Sequence, residues 1–112
     1  MNINTSDNDT MINNLINFES IYSIKIFKKT STKMILRNIT KITNDCNKIK
    51  KKKILLLSNE LKLLSNGIID IDIIKNTQNK ILEDIDNLNS IISIINIINI
   101  DENDEYIEIY SN

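Results

Sequence analysis

Three carboxylates fall within four positions at Glu83, Asp84 and Asp86. Paired carboxylates can trade a proton as general acid and base, or hold a divalent cation between them. Either task needs a second set of groups from elsewhere in the chain. The 112 residues contain no His and a single Cys, Cys46. No imidazole–thiolate zinc site, no Ser–His–Asp triad and no disulfide within one chain can be assembled from them. The cluster is therefore read as a solvated helix face. No catalytic residue, metal ligand or cofactor is expected, and the chain is read as a non-enzyme.

Two other groups invite chemistry. Cys46 sits between Ile42 and Ile49 at helical spacing. That placement predicts a buried small hydrophobe rather than an exposed, activated thiol. Lys48, Lys50, Lys51, Lys52 and Lys53 form a basic patch that suits nucleic acid or an anionic membrane. No aromatic stands near it to stack on a base, and the chain's net charge is −1. A solvated or subunit-facing surface is the preferred reading. Near the end of the sequence, Tyr106 and Ile109 follow four acids in five residues. Their aromatic-x-x-aliphatic spacing resembles the short peptides that bind autophagy ubiquitin-like proteins by adding a strand to a sheet edge. An acidic tail without that role is the plainer reading.

The elements that must carry these groups are written in the aliphatic spacing. The chain has 27 Ile and 19 Asn, no Pro and one Gly. Ile, Asn and Lys share A/T-rich codons, so their abundance alone says little, but codon bias does not set spacing. Met11, Leu15, Phe18 and Tyr22 recur at 4, 3 and 4, predicting a helix over about 11–27. Lys28 to Lys33 has no apolar residue and reads as a break, with Thr30 or Ser31 capping the next helix. A second seam runs through Ile35, Ile39, Ile42, Cys46 and Ile49, then Lys53, Leu57, Leu61 and Leu64. The extra fours after Ile49 are a stutter that relaxes left-handed supercoiling. Lys53 in that seam can bury its stem and keep its amine in water. This helix is placed at about 32–66.

Ser65-Asn66-Gly67 is the one turn signal, with Gly67 suited to a left-handed position after a helix. Asp70 and Asp72 then favour a helix start electrostatically. The third seam passes through Ile74, Gln78, Ile81, Ile85, Leu88, Ile92 and Ile95, predicting a helix over about 70–99. Residues 91–100 are so rich in Ile that a strand competes there, but the upstream register enters them unbroken. Residues 1–10 are expected to lack fixed structure, and 101–112 to form an acidic tail.

Charge divides sharply. Residues 33–66 carry net +7, residues 70–112 net −8, and the first 32 balance. The expectation is an all-α chain built as a long helical hairpin, or coiled coil. Its narrow apolar stripes bury too little to stand alone, so a short N-terminal helix or partner helices must complete it. A partner-binding seam follows: Ile35, Ile39, Ile42, Cys46, Ile49, Leu57, Leu61 and Leu64 on one helix, with Ile81, Ile85, Leu88, Ile92 and Ile95 on the other. Knobs-into-holes packing along it would join the chain, as a non-catalytic subunit or adaptor, to other helical proteins. Unlike chains are expected over a second copy. The runner-up is a basic helix that binds nucleic acid or anionic membrane through Lys48–Lys53. No basic start precedes an apolar run, so no signal peptide is expected. No stretch reaches the roughly 20 apolar residues of a membrane span. An intracellular, cytoplasmic location is the corresponding expectation.

Overall fold

The computed structural model describes the backbone of residues 5–102 and the side chains of residues 9–98. It is all-α apart from a small hairpin of strands. Helix α1 spans Thr5–Tyr22, strands β1 and β2 span Phe27–Lys29 and Met34–Leu36, and helices α2 and α3 span Ile39–Ser65 and Ile71–Glu102. The dominant packing is α2 against α3, an antiparallel hairpin, with α1 laid on α3. The molecule is a rod of 56 × 25 × 24 Å.

Helix α1 begins at Thr5, within the segment expected to lack structure. It stops at Tyr22 rather than near residue 27, because Ser23 turns the backbone into the left-handed region at φ 55°. Leu15 and Ile12 are buried, and Phe18 and Tyr22 pack partly against the same core.

The break expected at residues 28–33 is instead the tip of an antiparallel β-hairpin, pairing Phe27 with Leu36, Lys28 with Ile35 and Lys29 with Met34. Thr30 closes the turn: its amide donates to Lys33 O at 2.8 Å, and its hydroxyl donates to the same oxygen at 2.9 Å. Glu19 fixes the hairpin to α1, its carboxylate accepting both the Ile26 and Phe27 amides at 2.8 Å. Ile35 therefore lies in a strand, half-buried, and not in a helical seam.

Helix α2 starts at Ile39, not near residue 32. Its N-cap is Asn38, whose side chain accepts the Lys41 amide at 3.0 Å; Thr30 and Ser31 lie in and beside the strand turn. The far end matches expectation closely. Gly67 adopts φ +71°, and the Gly67→Leu64 and Ile68→Leu63 amide–carbonyl bonds, both 2.9 Å, complete a Schellman cap. Asp70 opens α3: its carbonyl accepts from Ile74 and its side chain from the Asp72 amide.

The strand alternative for residues 91–100 falls to burial. Ile91, Ile95 and Ile98, spaced 4 and 3, are all essentially inaccessible. Helical spacing places three large side chains in one core, which outweighs the β-branched preference. With Leu88, Ile42, Cys46, Ile26, Phe27 and Met34 they form a single cluster beneath α1 and the strand hairpin.

Candidate functional site

That cluster fills only the half of the hairpin nearest α1, its base. Beyond Tyr22, among the described residues, the α2–α3 pair continues alone. From Asp84 back to Ile71 is 13 residues, about 20 Å of unaccompanied arm at 1.5 Å per residue.

A polar network marks where the base ends. Asp84 is 2% exposed, the sole buried charged residue among the described residues. Its Oδ1 accepts the Tyr22 hydroxyl at 2.8 Å and meets Lys80 Nζ at 3.2 Å. Lys53 Nζ, from α2, lies 3.2 Å from Oδ2. Asn87 Nδ2 donates to the Tyr22 hydroxyl at 2.9 Å. One carboxylate thus joins all three helices. Burial alone would raise its pKa. The bonds from Tyr22, Lys53 and Lys80, with the Lys53 charge, outweigh that and hold it below the usual aspartate value. Desolvation raises the Tyr22 phenol, and the bond to Asp84 raises Lys80. The solvated-face reading therefore holds for Glu83 and Asp86, which are exposed, and is corrected for Asp84. Its burial follows from Tyr22 and Lys53, which come from far away in sequence. Lys53 spends its amine on this carboxylate rather than on water alone.

The arm beyond this network mixes polarity in its seam, where Ile74 and Ile81 are buried beside polar groups. Its inner positions include Lys53, Glu60, Thr77 and Asp84, all partly or fully buried. Glu60 Oε2 is enclosed without a hydrogen-bond partner. Its outer positions hold Ile54, Leu55, Leu56, Leu61 and Leu63 on α2, then Ile68, Ile71, Ile73 and Leu82, every one exposed. Helical spacing sorts most of these onto two flanks. Lys50 Nζ donates to Asn89 Oδ1 at 2.7 Å, which marks one flank. Ile54 and Leu61 lie 4 and 11 residues beyond Lys50, and Leu82 and Ile71 lie 7 and 18 before Asn89, so all four share that flank. Tyr22 marks the other through Asn87. Ile73 stands two heptads before Asn87, while Leu56 and Leu63 continue the heptad of Ile49, which packs on the core.

The seam expected to bind partners is thus divided. Ile42, Cys46, Ile81, Leu88 and Ile95 are buried inside the chain, and serve its own packing instead of a partner. Ile39, Ile49, Leu57, Leu64, Ile85 and Ile92 are half-buried along the hairpin, and Leu61 is exposed on the arm. Ile54, Leu55, Leu56 and Leu63 were not in the expected seam. The signal that could have found them is the run Ile54–Leu57, too long for one narrow stripe to cover.

Cys46 is fully buried, and burial pushes its thiol up to about 11. Of the basic patch, Lys48, Lys51 and Lys52 are exposed, Lys50 is half-buried, and Lys53 is turned inward. Lys48, Lys50 and Lys51 line a shallow open depression on α2 with Asn44, Asn47 and Ile54. Tyr106 and Ile109 lie outside the described residues. Among the described residues no cluster of three metal-ligating side chains occurs, and no helix is long and apolar enough to cross a membrane. No family model matches the chain, and no curated protein or solved structure is significantly similar to it.

Proposed function

We propose that the chain is a non-catalytic helical subunit or adaptor of a multi-protein intracellular complex, working in the cytoplasm by helix–helix association through its distal arm. One observation supports this: beyond what its own seam buries at Ile74 and Ile81, the arm leaves a row of large aliphatic side chains exposed, from Ile54, Leu55 and Leu56 to Ile73 and Leu82. An apolar surface of this kind marks an interaction site in a chain that stays dispersed. Partner helices laid on the arm would bury both flanks and complete the bundle that α1 completes at the base.

The test is the size of the assembly in native extract. The unaltered chain should migrate well above 13.0 kDa. Replacing Leu56, Leu63, Ile54 and Leu61 by Ser should release it. Raising salt tenfold should change little, because apolar burial does not depend on counterions. A free chain in extract, or an assembly indifferent to those substitutions, would refute the proposal.

The depression lined by Lys48, Lys50 and Lys51 favours a second reading, in which α2 holds a polyanion such as nucleic acid or an anionic membrane surface. That association would weaken steeply with salt.

A further inference from the structure

The flank marked by Lys50 and Asn89 differs from the one that carries α1. Among the described residues its aliphatics are exposed along the arm, and level with Lys50 its two edges carry opposite charge. The α2 edge has Lys50 and Lys51, and the α3 edge has Asp86 opposite them, with Lys75 nearer the tip. The Lys53–Asp84 and Lys50–Asn89 contacts set the relative height of the two helices. They place Lys50 and Lys51 level with Asp86. Between these edges stand Ile54, Leu61, Ile71 and Leu82, all exposed.

We propose that a second copy of this chain covers this flank, giving a four-helix bundle about a two-fold axis that runs along the arms. The inference rests on the association reading above and names its partner, a like chain in place of the unlike one expected from sequence. A two-fold interface must be complementary to itself, since the same patch is used twice. Rotation about an axis along the arms sets α2 of each copy against α3 of the other at equal height. Lys50 and Lys51 then face Asp86 of the second copy, and the four aliphatics of each copy close on one another. A two-fold axis across the arms would set α2 against α2 instead. Residues 39–65 carry net +5, so that arrangement opposes like charges. The other flank leaves a second copy less room, because α1 already fills its base.

Sedimentation equilibrium of the purified full chain, from roughly 5 to 500 µM, tests this directly. The expected mass climbs from 13.0 kDa toward twice that value. Ile54→Ser with Leu61→Ser should hold the chain at 13.0 kDa throughout, with helicity unchanged because both side chains are exposed. Leu56→Ser with Leu63→Ser should still dimerise. Lys51→Glu should weaken dimerisation several-fold, and adding Asp86→Lys in the same chain should restore it. A single 13.0 kDa species at every concentration overturns the proposal, as does a dimer that survives the Ile54/Leu61 pair. If the purified chain is monomeric while the native assembly still depends on the arm, the second copy is refuted and the association reading stands. If neither depends on the arm, both fall.

Discussion

The Tyr22 hydroxyl donates to Asp84 Oδ1 at 2.8 Å, joining residues 62 positions apart. It also receives the Asn87 amide at 2.9 Å. Tyr22 is the last residue of α1 and the half-buried anchor of that helix on the hairpin. Tyr22→Phe keeps the ring and removes both bonds, leaving Asn87 Nδ2 without that acceptor. The expected cost is about 1–2 kcal/mol of unfolding free energy. Urea denaturation followed by circular dichroism measures it, and a change near zero would mean the network contributes nothing to docking.

Acid should loosen the same joint. The Asp84 carboxyl is held below its ordinary value, so its contribution to stability is complete above about pH 4. It is lost as pH falls through the lower, folded-state value. Stability measured from pH 5 down to pH 2 should therefore drop more steeply for the unaltered chain than for Asp84→Asn, which has no proton to gain. Parallel curves would contradict the assignment.

Cys46 should be inert while the chain is folded. Its thiol is fully buried and pushed up to about 11, so little thiolate exists at neutral pH. Reaction with an aromatic disulfide reagent should proceed only as fast as the protein opens, and should become immediate in denaturant. Rapid labelling of the native chain would show that the base core is open.

Gly67→Ala probes the turn. Its φ of +71° is left-handed, and an added Cβ would meet nothing within 4 Å. The cost is then backbone strain alone, about 1 kcal/mol. A much larger loss would mean that the tip is packed against something.

Much of this architecture is legible in the residue spacing. The seam from Ile74 to Ile95 runs as a helix, and Asn66-Gly67 is the turn. The strand hairpin was obscured by chance register: Ile35, Ile39 and Ile42 keep a 4,3 cadence across the boundary between β2 and α2. The alternation of Ile24 and Ile26 was the local sign of extended chain. Asp84 was illegible for a different reason. Its place three after Ile81 and four before Leu88 puts it in the buried cadence, but a charge there reads as misplaced, and only the return of Tyr22 and Lys53 to one place makes its burial tolerable. The outward leucines of the arm were hidden likewise, because a seam assigned by periodicity assumes that apolar residues point inward.

Amide hydrogen exchange, compared between the purified dilute chain and the native assembly, tests the arm most directly. The prediction is slowed exchange confined to residues 50–86 upon assembly, with the base core already protected in both. Unchanged exchange across the arm, with any new protection elsewhere, would contradict the account.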